Sequence, residues 1–192
     1  MVYHGIRVEP LKQDINMRIG FCGTVSVGKT TLVNALKDLY EFKDYKFATE
    51  RSKYLRDLGI PLNTDSTLKG QTIFLAERCS ELINKDIITD RTIIDVIAFT
   101  LNAESIDKPD KISFEHYASR FIYEYDWIFY VSPAGVEIED NNVRTTNASY
   151  RDQIDNTIKY LCSSNLHYIK NFGILSGSTE DRLKQIKSYL NL

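Results

Sequence analysis

The stretch Gly23-Thr24-Val25-Ser26-Val27-Gly28-Lys29-Thr30-Thr31 decides the fold of this chain. It follows the apolar run 17–22 and leads into the helix-forming run Leu32-Val33-Asn34-Ala35-Leu36. Its spacing is the P-loop pattern G-x-x-x-x-G-K-[ST], which places backbone N–H groups around an anion at a helix N-terminus. The two glycines allow the backbone to curl, and the helix dipole favours negative charge. The stretch therefore predicts a buried strand, a phosphate-binding loop and a helix.

The side chains of this loop have distinct predicted roles. We expect Lys29 to reach the β and γ phosphates of a nucleotide, and the Thr30 hydroxyl to coordinate the Mg²⁺ that bridges them. The residues predicted to bind the nucleotide are Gly23, Val25, Ser26, Val27, Gly28, Lys29, Thr30 and Thr31. The alternative is a strand, a glycine-rich turn and a helix that bind no ligand. The motif predicts a nucleotide but not what is done with it.

Length and composition limit the class of protein. With 192 residues, of which 43% are hydrophobic, the chain suits one globular domain with a substantial core. A formal net charge of −2 gives no electrostatic reason to expect a duplex nucleic-acid partner, although a local basic cleft stays open. Cys22, Cys79 and Cys162 lack paired C-x-x-C spacing, which favours reduced core thiols over zinc ligands. Neither a membrane-length apolar run nor a signal peptide is visible, so we expect a cytoplasmic protein without a membrane partner.

Strand-like and helix-like runs alternate along the chain. Strands are predicted over residues 17–22, 45–48, 86–89, 126–131 and 168–175. Helices are predicted over residues 29–40, 53–58, 67–84, 92–102, 113–123, 148–162 and 178–190, with loops over residues 103–111 and 134–147. This alternation predicts an α/β fold with a parallel sheet and helices on both faces. We expect one domain over residues 17–192, preceded by an N-terminal arm over residues 1–16 to which we assign no role.

Asp90 and Arg91 directly follow the strand predicted over residues 86–89. Open α/β sheets bind ligands at the carboxyl ends of their strands. Asp90 could there hold the Mg²⁺ through a water, and Arg91 could neutralise a phosphoryl group or orient an acceptor. The alternative is a helix N-cap aspartate beside a solvated arginine, with Asp95 as the helical ion-pair partner of Arg91.

Further candidates belong to the acceptor side of such a site. The Glu50 carboxylate could accept the proton of an attacking hydroxyl, or it could merely stabilise a helix dipole. Gln71 and Arg78 are predicted to share one helix face, where they could contact a base or sugar and a phosphate, or could form plain surface. Arg144 and Arg151 could close over the transferred group with a mobile loop, or they could be solvated surface arginines.

These residues together resemble the P-loop nucleoside and nucleotide kinases, most closely the ribosylnicotinamide-kinase-like group that shades into thymidylate-kinase-like proteins. Residues 23–31 match the phosphate loop of the family, and Thr89-Asp90-Arg91-Thr92 followed by Asp95 is similar to its D-R-[ST] element. Thr49-Glu50-Arg51-Ser52-Lys53-Tyr54-Leu55 is similar to the strand-to-helix turn of the group, although its arginine directly follows the glutamate.

Two later segments extend the resemblance. Asp140-Asn141-Asn142-Val143-Arg144 stands where the lid of these kinases has D-G-x-R, and Ser176-Gly177-Ser178-Thr179-Glu180-Asp181-Arg182 is similar to their last turn, which borders the adenine. The resemblance adds Gly177 and Ser178 to the predicted nucleotide-binding residues. It implies a three-layer α/β/α P-loop kinase fold, with a five-stranded parallel sheet in the order 2-3-1-4-5 and a lid at about residues 134–150.

The leading hypothesis is an ATP- and Mg²⁺-dependent phosphotransferase that moves the γ-phosphoryl of ATP onto a nucleoside or a nucleoside-monophosphate-like acceptor. Its predicted catalytic residues are Lys29, Glu50, Asp90, Arg91 and Arg144. Its predicted substrate-binding residues are Glu50, Gln71, Arg78, Arg91 and Arg151. Its predicted metal ligands are Thr30 and Asp90.

Two other classes of function stay open. One is a kinase acting on a modified base of the hydroxymethyl pyrimidine type or on an end within DNA, for which Lys53, Arg56, Lys69 and Lys85 could form a basic rim. The other is a regulatory NTP-binding switch, although the chain lacks the N-K-x-D and D-x-x-G signatures of a GTPase. The acceptor, which could also be ribosylnicotinamide, is not defined. The aromatic helix predicted over residues 113–123 could cover a homodimer interface as easily as a core.

Overall fold

The computed structural model describes residues 16–49, 52–134 and 148–192. Its strands are β1 (Arg18–Cys22), β2 (Lys46–Ala48), β3 (Ile87–Thr89), β4 (Trp127–Val131) and β5 (Phe172–Leu175). Its helices are α1 (Lys29–Lys37), α2 (Ser52–Asp57), α3 (Leu68–Glu81), α4 (Ile93–Leu101), α5 (Lys108–Ser119), α6 (Ala148–Ser164) and α7 (Thr179–Leu190). Short 3₁₀ turns occur at Tyr40–Phe42, Asn63–Asp65 and Ile122–Glu124.

The described strands form one parallel sheet in the order β2-β3-β1-β4-β5, which confirms the predicted topology. β1 lies at the centre, with Gly20 opposite Thr89 of β3 and Ile128 of β4. A Cβ on Gly20 would lie 2.5 Å from the Thr92 methyl group and 2.6 Å from the Tyr125 ring, so glycine permits this close packing. Because all strands are parallel, their carboxyl ends meet at one edge of the sheet, where ligands bind in such folds.

Helices cover both faces of the sheet, as predicted. Alternate residues of β1 point to opposite faces. Ile19 and Phe21 pack with α1 and α7 in one hydrophobic cluster. Cys22 packs on the other side with α4 and α6, whose buried faces are rich in isoleucine. α5 packs against α4. The structure is therefore a three-layer α/β/α sandwich.

The boundaries predicted for α5 and β5 are wrong, and α1 and α3 each end three residues earlier than predicted. Residues 103–111 were expected to form a loop and 113–123 a helix, but α5 already begins at Lys108 and ends at Ser119. Pro109 lies in the first helical turn, where its missing N–H removes no helical hydrogen bond, and Asp107 caps the helix by accepting from the Asp110 N–H at 2.9 Å. β5 begins at Phe172 rather than at residue 168, because residues 165–169 form hydrogen-bonded turns at the end of α6.

Some predicted features fall on parts of the chain that the structure does not describe. All of the N-terminal arm except residue 16, and residues 135–147 of the expected lid, lie outside the described residues, as do Glu50 and Arg144. No helix in the described ranges has both the length and the apolar character needed to span a membrane.

Candidate functional site

The predicted phosphate loop lies between the carboxyl end of β1 and the start of α1. A Cβ on Gly23 would lie 2.7 Å from the Val131 carbonyl oxygen, so no other residue fits against β4 here. Ser26 and Gly28 both adopt positive φ, 55° and 82°, which curls the backbone. Gly28 is the N-cap of α1 and has no side chain with which to cap it. The first N–H groups of α1 can therefore donate hydrogen bonds to an anionic ligand.

Lys29 is folded back onto this loop. Its side chain is buried, and Nζ donates to the carbonyl oxygens of Gly23 at 2.6 Å and Thr24 at 2.8 Å. Both contacts are to neutral carbonyl groups, and an ionised phosphate oxygen offers the ammonium a stronger hydrogen bond because both partners are then charged. The cation is thus held beside the curled loop.

Thr30 and Asp90 meet across the gap between α1 and β3. The Thr30 hydroxyl donates to Asp90 Oδ2 at 2.5 Å, and Asp90 is fully buried directly after β3. A hydroxyl and a carboxylate are the hard oxygen ligands that Mg²⁺ prefers, and the ion commonly keeps several waters besides one or two carboxylates. The pair brought together here therefore fits a Mg²⁺ ion. Asp90 does not cap the following helix, because the N-cap of α4 is Thr92.

Arg91 and Asp95 lie beside this pair. Arg91 Nη1 is 3.6 Å from Asp95 Oδ1, and the Arg91 guanidinium lies 5.0 Å from the centre of the Phe99 ring. The helical ion pair weighed from the sequence is therefore present. Arg91 is only 8% exposed, so the solvated arginine of the alternative interpretation is not what the structure shows.

A cleft opens beside the phosphate loop. Its walls come from the loop, α2, the turn before α3, α3 itself and α4. The lining residues are Val25, Ser52, Leu62, Asn63, Ser66, Gln71, Phe74, Arg91, Asp95, Val96 and Phe99. Small-molecule sites combine apolar walls with a few polar groups. The cleft therefore has the lining of a small-molecule site.

The structure brings Gln71 and Arg91 together in this cleft but separates Arg78 from them. Gln71 is 3% exposed and lines the cleft. Arg78 follows two turns later, about 10 Å along the helix. Its Nη2 contacts Glu81 Oε1 at 2.7 Å outside the cleft lining. Gln71 and Arg78 do share one helix face, but only the end of that face that carries Gln71 lines the cleft.

Of the other predicted binding residues, Arg151 contacts the phosphate loop, whereas Gly177 and Ser178 lie at the start of α7. Arg151 is buried in the first turn of α6, and its backbone carbonyl accepts a hydrogen bond from the Thr24 hydroxyl at 2.9 Å. Gly177 has a φ of 84° and precedes Ser178, which caps α7 in a reciprocal hydrogen-bond pattern with Asp181. Gly177 lines a separate, shallow cleft at the start of α7.

Two residues beside the site were not among the predicted site residues, although Arg182 belongs to the last-turn segment quoted for the family resemblance. Arg182 is 3% exposed and donates to Val27 O at 2.6 Å and to Ser132 O at 3.1 Å. Its spacing of four residues from Ile186 places it on the buried face of α7, which is the signal that could have found it. Ser66 is 1% exposed in the cleft wall, and its Oγ has no hydrogen-bond partner among the described residues. No sequence pattern marks Ser66.

The thiols near the site are buried. Cys22 precedes the phosphate loop, and its sulfur lies 4.0 Å from that of Cys162 in α6. Burial, followed by the neighbouring Cys162, raises the pKa of Cys22 well above its ordinary value. Cys22, Cys79 and Cys162 are all free thiols. Within the described ranges, no group of three or more His, Cys, Asp or Glu side chains could hold a metal ion.

The fold is shared with solved nucleoside-binding structures. Deoxyadenosine kinase from M. mycoides, with products dCMP and a flexible dCDP bound, has 18% identity and a TM-score of 0.63, over 91% of this chain and 98% of that one. NadR in complex with NR has 15% identity and a TM-score of 0.70, over 93% of this chain and 52% of NadR. NadR with NAD and AMP-PNP has 14% identity and a TM-score of 0.68, over 93% of this chain and 50% of NadR. This chain thus spans about half of NadR. Identities this low show the fold alone.

Family membership comes from a sequence comparison. No curated protein sequence matches the chain. A family model described as an AAA domain (AAA_28) matches residues 18–182, which include every strand of the sheet, the phosphate loop and the Asp90-Arg91 pair. The chain therefore belongs to the AAA_28 family of AAA domains and has a P-loop kinase α/β fold.

Proposed function

We propose that this protein is an ATP- and Mg²⁺-dependent kinase that transfers the γ-phosphoryl group of ATP to a nucleoside or a nucleoside-monophosphate-like acceptor. The observation that carries the proposal is the placement of the cleft against the phosphate loop. Val25 of the loop lines the same cleft as Gln71 and Arg91. A donor phosphate on the loop and an acceptor in the cleft would therefore be neighbours, and such proximity supplies much of the catalysis in phosphoryl transfer.

The donor half of the site would hold ATP and its metal ion. The curled backbone from Gly23 to Gly28 and the N-terminus of α1 would receive the phosphates, with Lys29 moving from the loop carbonyls to phosphate oxygens. Thr30 and Asp90 are the residues that would hold Mg²⁺. The ion, when bound with ATP, would screen the negative charge of the phosphates.

The acceptor half of the site suits a planar ring. Phe74 and Phe99 provide aromatic faces, and the Gln71 amide supplies one donor group and one acceptor group in a buried position. The related folds support this assignment, because the deoxyadenosine kinase structure contains dCMP and the NadR structure contains NR. A nucleobase or a nicotinamide carries polar groups that could hydrogen-bond to this amide, which an aliphatic substrate would do less well.

Arg91 and two residues outside the described ranges would act on the reacting groups. Arg91 carries positive charge into the cleft, where it would lie near the transferred phosphoryl group. Glu50 would accept the proton of an attacking hydroxyl, and Arg144 would add positive charge on closing. A monophosphate acceptor would need no such base, so the effect of Glu50→Gln separates the two acceptor classes.

The test is a panel of nucleosides, nucleoside monophosphates and ribosylnicotinamide incubated with labelled ATP and Mg²⁺. We expect label on at least one acceptor and a loss of about 100-fold or more in kcat for Lys29→Ala, as when one charge-stabilising donor is removed. Lys37→Ala is the matched control, because Lys37 lies exposed at the other end of α1. A Lys29→Ala protein as active as this control would rule out the proposal.

Two other outcomes would favour a different function for this protein. Nucleotide hydrolysis or tight nucleotide binding, without transfer to any acceptor in the panel, would indicate the NTP switch. Transfer only to DNA, with affinity falling steeply as salt is added, would indicate the DNA-directed kinase.

A further inference from the structure

We propose that Asp95 is a positioning residue that fixes Arg91 and the start of the phosphate loop relative to each other. The inference rests on the proposed phosphotransfer and adds a residue that acts through Gly23 and Arg91 rather than on the substrate. Asp95 is fully buried in the first turn of α4 and lines the cleft.

The two carboxylate oxygens of Asp95 contact different parts of the molecule. Oδ2 accepts from the Thr92 backbone N–H at 2.8 Å and from the Thr92 hydroxyl at 2.9 Å. Oδ1 accepts from the Gly23 backbone N–H at 3.2 Å and lies 3.6 Å from Arg91 Nη1. One side chain therefore joins the start of α4, the first glycine of the phosphate loop and the arginine of the cleft.

Capping a helix does not require the second set of contacts. A capping box needs one oxygen of the acidic side chain to reach back to the N-cap N–H. Asp181 provides the comparison within this chain, because its Oδ2 alone accepts from the Ser178 N–H at 3.1 Å and from the Ser178 hydroxyl at 2.6 Å. At Asp95 the same Oδ2 pattern recurs, while Oδ1 faces the loop and the arginine. The contacts of Oδ1 are thus additional to the cap.

The geometry leaves Arg91 little freedom. Its guanidinium contacts Asp95 on one side and lies 5.0 Å from the Phe99 ring centre on another. Gly23 is equally confined, since a Cβ there would meet the Val131 carbonyl oxygen at 2.7 Å. Because one carboxylate holds both groups, a shift of either one is transmitted to the other. In an active site, a misplacement of about 1 Å can cost roughly 100-fold in rate.

Asp95→Asn separates this role from capping. Asparagine has one carbonyl oxygen and one NH₂ group. If the oxygen serves Thr92, the NH₂ faces the Gly23 N–H and the Arg91 guanidinium, which are both donors. Thr92→Val is the matched control, because it removes the capping hydroxyl at nearly constant volume and leaves the Oδ1 contacts in place. We expect D95N to lower kcat about 10- to 100-fold with a smaller change in KM, and T92V to stay near wild type.

A double-mutant cycle with Arg91→Lys identifies the route of the effect. Because Asp95 acts partly through Arg91, D95N should lower kcat less in the R91K background than in wild type, with the remaining loss coming from the Gly23 contact. Equal losses of kcat in D95N and T92V, or D95N and R91K effects that simply add, would overturn the proposal. Urea unfolding checks that each variant folds, and Asp95→Ser, which keeps an oxygen for Thr92, takes the place of D95N if that variant does not.

Binding of a fluorescent, non-hydrolysable ATP analogue keeps this test independent of the proposed reaction. If no acceptor is phosphorylated, the proposed function fails. The affinity for the analogue still tests Asp95, because it depends on how Asp95 places the Gly23 N–H in the loop. Weaker binding by D95N than by T92V supports the positioning role. Equal binding by the two variants refutes it.

Discussion

Arg182→Met tests how the phosphate loop is held against the rest of the fold. Arg182 is 3% exposed on α7 and donates to Val27 O in the loop and to Ser132 O after β4, at 2.6 and 3.1 Å. Burial lowers the pKa of the guanidinium, but an arginine side chain stays charged in proteins. Methionine has a similar length and no donor, so the substitution removes both hydrogen bonds while filling most of the space.

The expected cost follows from these contacts. A hydrogen bond from a charged donor contributes about 1.5–3 kcal/mol, so the two bonds together correspond to about 3–6 kcal/mol. Arg182 Nε is buried without a hydrogen-bond partner in the described part of the chain. Removing that group recovers about 1–3 kcal/mol. We therefore expect the free energy of unfolding to fall by about 3 kcal/mol, which lowers Tm by roughly 6–12 °C in a domain of this size.

Urea unfolding, followed by the fluorescence of Trp127, measures this change. The matched control is Lys184→Met on the same helix, whose exposed ion pair with Glu180 should contribute nothing measurable. Nucleotide affinity should also fall in Arg182→Met, because the Val27 carbonyl belongs to the loop. If Arg182→Met unfolds at the same urea concentration as the control, the two buried hydrogen bonds do not hold the loop.

Two further predictions concern the cleft and the pH dependence of stability. Gln71→Leu should raise the KM for the acceptor by roughly tenfold, the equivalent of about one hydrogen bond, with little loss of stability; an unchanged KM would contradict this role. Burial raises the pKa of Tyr45 to about 12, so the folded protein keeps a proton that the unfolded chain releases near pH 10. The free energy of unfolding should then fall by up to about 1.4 kcal/mol per pH unit between roughly pH 10 and 12, and a constant urea midpoint there would argue against it.

The sequence predicted the conformation of the loop from Gly23 to Gly28 and the strand before it because these signals are local. The glycine spacing from Gly23 to Gly28 encodes the curl of the loop, and the alternation of strands and helices encodes the parallel sheet. The order of the strands came from the family resemblance and agrees with the structure, and Asp90 directly follows β3, as the strand predicted over residues 86–89 implies. The start of α5 was missed because Pro109 was interpreted as a helix breaker, although proline is well tolerated in the first turn.

The cleft proposed for the acceptor was harder to predict because its residues meet only in the folded chain. Gln71 and Arg78 have the same helical phase, and nothing local says that the cleft ends between them. Burial of Arg78 depends on Glu81, which contacts it one turn later. Ser66 belongs to a turn whose position depends on Ser105, since the Ser105 hydroxyl donates to the Ser66 carbonyl oxygen at 2.5 Å. Such contacts leave no period or motif in the sequence.

The conformation of the phosphate loop therefore depends on its own residues, and its position depends on its long-range contacts. Its Gly23 N–H is bound by Asp95 of α4, its Thr24 hydroxyl by the Arg151 carbonyl of α6, and its Val27 carbonyl by Arg182 of α7. The motif accounts for the local curl, but a curled loop binds phosphate tightly only if it is already in place, since ordering it on binding would cost affinity. The first contact comes from α4, which also lines the cleft. The second comes from the first turn of α6, and the third from α7, which begins after the turn at Gly177. Movement in any of these elements should thus be felt by the loop, which is why substitutions outside the motif are expected to alter nucleotide binding.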